Sequence, residues 1–236
     1  MNENLDTPFE NPLVVQKYTT DVRDGLYEFE SSFLKISNVY SYKSPRFLCL
    51  GCGAGREVFP LAELGCDVLG IDGSSKLIAA ANAWSYKKRS KATFRYSMLP
   101  PLPDDIGSFT CVIATYNFLS HISDISTLRM LLLQVYNHLE PTGKLIITFH
   151  ERKLINNKIT PHGGIGELKR IAAIREKESP ALDFRFFTKK EIFRILQNVG
   201  FCIERDMSIL ELVPPQYPLK WSRSIIFASA VRNYGS

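Results

Sequence analysis

The 236-residue sequence has no apolar run close to the roughly 18 residues that a membrane-spanning helix needs. Its first residues, MNENLDTPFENP, are polar and acidic and do not show the charged-then-apolar pattern of a secretion signal. The net charge of +5 is too small to indicate a nucleic-acid-binding surface by itself. These absences predict a cytoplasmic protein that does not use a membrane, and they argue against nucleic acid as a partner.

Cysteine is scarce, with five residues. Four of them, Cys49, Cys66, Cys111 and Cys202, fall in strand-like segments, where they are expected to be small buried residues in a reducing compartment. Cys49 and Cys52 have the C-x-x-C spacing, but no second pair follows. The sequence therefore predicts no metal site and no redox pair.

Short apolar runs alternate with helical patterns from Pro45 onward, and no internal repeat is present. This alternation predicts a single α/β domain over residues 1–236, with a mostly parallel sheet and helices on both faces. Strands are expected at 46–50, 66–72, 92–97, 108–115 and 143–150, and helices at 75–86, 125–139 and 188–199. The runs 202–210 and 224–232 are expected to pair antiparallel, because their proline-containing linker is too short for a crossover helix.

Two segments lie outside this alternating core. Residues 1–40 carry a helical pattern over 25–36 and are expected to form an N-terminal cap. Residues 151–185 form a long insertion after the fifth strand, with a helix predicted over 166–178. Because long insertions in compact domains are usually binding elements, this one is predicted to be a lid over the substrate.

The stretch LGCGAG, residues 50–55, has the composition of a turn from a strand into a helix. Gly51 allows the tight turn, Gly53 allows a ligand to approach the backbone, and Gly55 allows the helix to pack closely. The spacing G-x-G-x-G differs from the dinucleotide fingerprint G-x-G-x-x-G, and no G-K-[ST] follows for a phosphate loop. Asp72 ends the next strand, where a carboxylate can bind the ribose diol of NAD or of another adenosine ligand.

The stretch LCLGCGAGREVFPLAELGCDVLGIDGSSKLI resembles motif I and the second-strand acid of class I S-adenosylmethionine-dependent methyltransferases of the small-molecule type. The resemblance continues through LPPLPDDIGSFTCVIATYNFLSHI, LLLQVYNHLEPTGKLIITFHE and FRFFTKKEIFRILQNVGF, and covers most of residues 40–232. It implies a Rossmann-like seven-stranded sheet whose last strand is antiparallel.

The resemblance also implies S-adenosylmethionine as the cofactor and S-adenosylhomocysteine as its product. Asp72 would hold the ribose hydroxyls, and Ser97 and Met98 would flank adenine, although many members have an acidic residue at the Ser97 position. Tyr18 would lie over the methionine carboxylate. The full set of implied cofactor residues is Tyr18, Gly51, Cys52, Gly53, Gly55, Asp72, Gly73, Ser97, Met98, Thr115, Tyr116 and Asn117.

Methyl transfer from a sulfonium is an in-line displacement, so the protein mainly aligns the reactants and excludes water. A general base is needed only if the acceptor must lose a proton. His121 and His150 are the candidates for a base or for acceptor positioning, with Tyr116 and Arg185 as further substrate-binding candidates. A histidine held only for packing, and an ordinary surface ion pair for Arg185, are the alternatives.

Three functions fit these patterns. The leading hypothesis is methylation of a small molecule or natural-product intermediate by a monomer or homodimer. The second is methylation of RNA, such as tRNA, or of another macromolecule, but the loop after the fourth strand is ATYNFL and lacks both an N-P-P-Y-like motif and a Pro-Cys pair. The third is a binding module that kept the fold without activity.

Overall fold

The computed structural model describes residues 8–152, 167–172, 179–214 and 225–232, and for 167–172 it describes the backbone alone. The strands in chain order are β1 (Arg46–Leu50), β2 (Asp67–Asp72), β3 (Thr93–Tyr96), β4 (Phe109–Ala114), β5 (Leu139–His150), β6 (Glu167–Ala172), β7 (Ala181–Phe186), β8 (Phe201–Ser208) and β9 (Ile225–Arg232). The α-helices are α1 (Pro12–Asp21), α2 (Glu28–Ile36), α3 (Val58–Glu63), α4 (Ser75–Lys88), α5 (Ile125–His138), α6 (Lys189–Val199) and α7 (Ile209–Leu212).

Seven strands form one sheet in the order β3-β2-β1-β4-β5-β9-β8. Strands β1 to β5 pair in parallel, whereas β9 is antiparallel to both β5 and β8. The predicted fold class, including the antiparallel closing pair, is therefore confirmed. The parallel arrangement brings the carboxyl ends of β1, β2 and β4 to one edge of the sheet, where open α/β sheets bind ligands.

The core consists of two apolar layers, one on each face of the sheet. Phe47 and Leu48 are neighbours in β1 and point to opposite faces, so each belongs to a different layer. Helices α5 and α6 cover the Leu48 layer, while α2 and α4 cover the Phe47 layer. The near-continuous apolar run of β1 is typical of a strand buried on both faces.

Helix α6 begins and ends where the sequence predicts. The Glu191 backbone N–H donates to Thr188 Oγ1 at 3.2 Å, and the Thr188 N–H donates to Glu191 Oε2 at 2.7 Å, which completes a capping box. Gly200 follows the helix in the left-handed conformation, with φ 112°. Both capping signals consist of residues close together in the sequence, so the two ends of α6 could be predicted from the sequence alone.

The predicted helix over 166–178 is wrong for residues 167–172, which form strand β6. This strand pairs antiparallel with β7 from Glu167↔Phe186 to Ala172↔Ala181, as a separate two-stranded sheet. Ladder hydrogen bonds to β7 satisfy the backbone here, so tertiary pairing overrides the local helical preference. The rest of the predicted helix, like residues 1–7 of the predicted cap, lies outside the described residues. Across the described ranges, no helix combines the length and apolar character needed to cross a membrane.

Candidate cofactor and acceptor site

A cavity of about 450 Å³ opens at the carboxyl ends of β1, β2 and β4. The sheet edge contributes Gly51, Gly53, Asp72, Gly73, Met98 and Thr115 to its wall. The N-terminal cap contributes Phe9 and Tyr18, and the β6–β7 hairpin contributes Leu182 and Asp183. Residues of the N-terminal cap and of the insertion therefore line the same cavity as the glycine turn.

The glycine turn is in the left-handed conformation at Gly51 and Gly53, with φ 62° and 54°. A Cβ on Gly51 would lie 2.3 Å from the Phe118 ring, and one on Gly53 would lie 3.3 Å from the Tyr18 ring. Both positions thus need glycine for backbone conformation, and Gly51 needs it also for space. Gly55 does not line the cavity. A Cβ at this position would lie 2.8 Å from both the Phe59 and the Phe94 ring, so glycine here allows close packing.

Asp72 connects the glycine turn to the start of α4. Its Oδ2 accepts a hydrogen bond from the Gly53 N–H at 2.8 Å, and its Oδ1 accepts one from the Ser74 N–H at 2.8 Å. Burial raises the pKa of the Asp72 carboxyl, although the two backbone hydrogen bonds lower it. Each carboxylate oxygen can accept more than one hydrogen bond, so Asp72 can still bind a ligand diol.

Two tyrosines close the site above the glycine turn. The rings of Tyr18 and Tyr116 meet edge to face, with centroids 6.0 Å apart. Tyr116 and Asn117 both have positive φ, at 53° and 61°, and the Asn117 N–H donates to Thr148 Oγ1 at 2.9 Å. This strained turn at the end of β4 directs Tyr116 back over the cavity. Burial raises the pKa of Tyr116 to about 12, so its hydroxyl is neutral at physiological pH.

His121 lies in the cavity wall where the cap and the hairpin meet. Its ring contacts Phe9 and Phe184 edge to face, with centroids 5.4 and 5.2 Å away. Burial lowers the pKa of His121 to about 4, so the imidazole is neutral at physiological pH. Its Nδ1 is buried and has no hydrogen-bond partner within the described part of the chain. A neutral, weakly anchored imidazole is able to accept a proton or a hydrogen bond from a ligand.

The other two predicted acceptor residues do not line the cavity. His150, at the end of β5, packs against Phe184 and Phe186 with ring centroids 5.6 and 6.0 Å away, and burial lowers its pKa. The Arg185 guanidinium donates to the Ser123 carbonyl. Both side chains thus lie outside the cavity wall that contains His121 and the glycine turn.

A buried ion cluster holds the N-terminal cap against the glycine turn. Arg56 forms two 2.7 Å hydrogen bonds to the Glu30 carboxylate and one of 2.5 Å to Glu57. The Thr115 hydroxyl donates to the same Glu57 carboxylate at 3.0 Å. Because Glu30 belongs to α2 and Thr115 follows β4, this cluster fixes three parts of the site relative to one another.

The structure brings most predicted cofactor residues together. Eight of the twelve line the large cavity: Tyr18, Gly51, Gly53, Asp72, Gly73, Met98, Thr115 and Tyr116. Cys52 lines a smaller cavity of about 20 Å³ that shares Gly51, Gly53, Tyr18 and Tyr116 with the large one. Gly55, Ser97 and Asn117 line neither. No three His, Cys, Asp or Glu side chains in the described ranges are grouped to hold a metal ion.

Several wall residues were not identified from the sequence. Phe9 and Phe118 follow no recognisable motif, and their place becomes visible only when the chain is folded. Leu182 and Asp183 fall in the insertion that the sequence singled out, but no strand was predicted at 181–186, and its partner β6 lies where a helix was expected. The partners of Arg56 also escaped detection, since Glu30 lies 26 residues away along the chain.

Comparison with known proteins agrees with this architecture. Residues 47–143 match the family model described as a methyltransferase domain. A solved S-adenosylmethionine-dependent methyltransferase from Clostridium acetobutylicum superimposes with a TM-score of 0.67 at 12% identity, covering 92% of this chain and 96% of that one. The glycopeptide N-methyltransferase MtfA, solved with S-adenosylmethionine, gives a TM-score of 0.65 at 18% identity, covering 86% of this chain and 94% of that one.

Curated relatives match shorter stretches. The ubiquinone biosynthesis O-methyltransferase of Rickettsia conorii is 28% identical over 119 residues, covering 50% of this chain and 39% of the relative. The mitochondrial ubiquinone biosynthesis O-methyltransferase of Bos taurus is 25% identical over 169 residues, covering 70% of this chain and 43% of the relative. The matched region is thus less than half of either relative's length.

Residues 47–143 thus match a methyltransferase domain, and the chain shares its fold with solved S-adenosylmethionine-dependent methyltransferases.

Proposed function

We propose that this protein binds S-adenosylmethionine and transfers its methyl group to a small-molecule acceptor. The observation that carries the proposal is Asp72, a buried carboxylate fixed by the Gly53 and Ser74 N–H groups at the wall of a cavity of about 450 Å³. This carboxylate suits a ribose diol, which offers two hydroxyl donors. Solved neighbours with the same fold include one described as complexed with S-adenosylmethionine.

The residues at the sheet edge fit the cofactor. Gly51 and Gly53 line the cavity, so the ligand's methionine and ribose part would lie against their backbone, while the missing side chain of Gly51 makes room for the Phe118 ring. Met98 packs beside Gly73, where a Cβ would lie 3.4 Å from the Met98 sulfur, and offers an apolar surface to adenine. The bound cofactor supplies a methyl group that is already activated by its positive sulfur.

The remaining chemistry belongs to the protein's own side chains. Tyr18, Tyr116 and Phe118 cover the glycine turn, and they keep water from the transfer path while restricting the acceptor to a narrow approach. His121 is the candidate general base, because it is neutral and lines the same cavity. A proton leaving the acceptor's attacking atom would pass to this imidazole. His150 and Arg185 have no support as acceptor contacts from their positions.

Two further features of the proposal follow from the sequence. The cytoplasmic location is supported by five free cysteines, four of them buried. A single domain acting as a monomer or homodimer remains our expectation for residues 1–236.

Incubation with methyl-labelled S-adenosylmethionine tests the proposal. The purified protein is supplied in parallel with a small-molecule cell extract and with unmodified tRNA. We expect label in the small-molecule fraction, and its loss in the Asp72→Ala variant, because that variant lacks the ribose-binding carboxylate. Label confined to tRNA would contradict the small-molecule assignment, and no label in any fraction would favour a binding module without activity.

A further inference from the structure

The chain segment just before α1 is attached to the first turn of α4. Glu10 Oε1 accepts hydrogen bonds from the Ser75 N–H at 2.6 Å and from the Ser75 hydroxyl at 3.3 Å. Lys76 Nζ donates to the Glu10 carbonyl at 2.7 Å, and the Ser74 hydroxyl donates to the Phe9 carbonyl at 3.0 Å. Because a carboxylate is stabilising at a helix N-terminus, the position of Glu10 is favourable for α4 as well as for the cap.

This attachment lies next to the carboxylate that is proposed to bind ribose. Ser74, which binds the Phe9 carbonyl, also donates its N–H to Asp72 Oδ1 at 2.8 Å. Burial is the largest cause of the raised pKa of Asp72, and the nearby charge of Glu10 raises this pKa further. The cap is therefore bound to the same turn from which Asp72 reaches the cavity.

Phe9 links this attachment to the proposed general base. Its ring lies in the cavity wall and meets the His121 ring edge to face, with centroids 5.4 Å apart. The imidazole packs against both Phe9 and Phe184, so the position of Phe9 determines how much of the ring water can reach. Glu10 directly follows Phe9 in the chain, and its binding to α4 therefore restricts where the Phe9 ring can lie.

We propose that Glu10 is a positioning residue for methyl transfer, which holds Phe9 against His121 by binding the first turn of α4. This inference rests on the proposed methyltransferase function and adds a residue that does not itself line the cavity. Loss of the Glu10 contact would let the cap move away from α4. That movement would open the cavity beside Asp72 and expose the imidazole to water.

Histidine-ring NMR of the ligand-free protein, between about pH 5 and about pH 8, tests this coupling. The His121 signal is identified by its absence in His121→Gln. We expect the pKa of His121 to be higher in Glu10→Ala than in the wild type, because the ring loses part of its burial. Removal of a negative charge alone would lower this pKa, so the direction of the change separates a positioning role from a purely electrostatic one.

The dissociation rate of S-adenosylhomocysteine, measured by surface plasmon resonance, is the second readout. We expect dissociation about fivefold faster in Glu10→Ala, because Phe9 forms part of the wall around the ligand. Glu10→Gln should restore most of the wild-type behaviour, since its amide oxygen can still accept the Ser75 N–H. In a Phe9→Ala background, Glu10→Ala should change the rate by less than about twofold, because both residues act through one contact.

The matched control is Glu63→Ala, because Glu63 pairs with Lys88 at the opposite end of α4, at 3.3 Å. It should leave both readouts unchanged. The inference would be overturned by a His121 pKa that is unchanged or lowered in Glu10→Ala, by an unchanged dissociation rate, by a full effect in the Phe9→Ala background, or by equal effects in the control. Each of these results would leave the cofactor assignment intact. Wild-type protein that fails to bind S-adenosylhomocysteine would instead overturn the proposed function, and the role of Glu10 with it.

Discussion

Protonation of His121 should destabilise the folded protein as the pH falls below neutral. Burial lowers its folded-state pKa to about 4, whereas an unfolded histidine titrates at about 6.5. Between these values the unfolded chain binds the proton more tightly, so the contribution of His121 to stability is fully present above about pH 6.5 and is lost as the pH falls toward 4. The two pKa values give a loss of about 2 kcal/mol at pH 5, and a limit of about 3 kcal/mol at lower pH.

Urea unfolding of the wild type and of His121→Phe, at about pH 7.5 and about pH 5, measures this contribution. The phenylalanine keeps the edge contacts with Phe9 and Phe184 but cannot be protonated. We expect the wild type to lose about 2 kcal/mol more than the variant between the two pH values. His150 also has a lowered pKa, but it is present in both proteins and cancels in the difference.

His121→Gln serves as a second variant that does not titrate, so the test survives if the phenylalanine packs poorly. Equal losses in the wild type and in both variants would refute the conclusion that His121 is a neutral buried imidazole. Such a result would also remove the basis for its proposed role as a general base.

Other substitutions should act on the cluster, the turn and the helix cap. Arg56→Met should lower the free energy of unfolding by about 3–5 kcal/mol, because it leaves the buried carboxylates of Glu30 and Glu57 unpaired. Arg95→Met, which removes an exposed ion pair with Asp105, should change the free energy of unfolding by no more than about 1 kcal/mol. Denaturant titration that finds equal costs for the two would contradict this. Gly51→Ala should lower the free energy of unfolding by about 1–3 kcal/mol, since φ is 62° and the new Cβ would meet the Phe118 ring. It should also abolish the increase in melting temperature that S-adenosylhomocysteine produces. An unchanged increase would show that the turn tolerates a side chain. Thr188→Ala should cost about 1 kcal/mol through loss of the α6 cap, measured by urea unfolding, and no cost would mean that the cap is dispensable.

The sheet was predictable because its signals are local. Continuous apolar runs mark parallel strands such as β1, and short turns with known residue preferences separate them. The capping box of Thr188 and Glu191 lies within four residues of sequence and fixed the start of α6. The helix prediction was wrong for residues 167–172 because their conformation depends on pairing with β7. Local propensity carries no information about such a distant partner.

The candidate site divides in the same way. Its cofactor half comes from the glycine turn and Asp72, whose spacing along the chain is itself a recognisable pattern. The other half is assembled from Phe9, His121 and Asp183, which come from three distant segments. Side chains of that kind come together only through the fold, so the sequence predicted where a cofactor would bind but left the character of the acceptor open.

Calorimetric titration of the protein with S-adenosylmethionine tests the central claim most directly. We predict binding with one site per chain, weakened at least about tenfold in Asp72→Ala by the loss of charged hydrogen bonds to the ribose, and unchanged in the surface control Asp105→Ala. Wild-type protein that shows no binding, or an Asp72→Ala variant that binds as tightly as the wild type, would contradict the account.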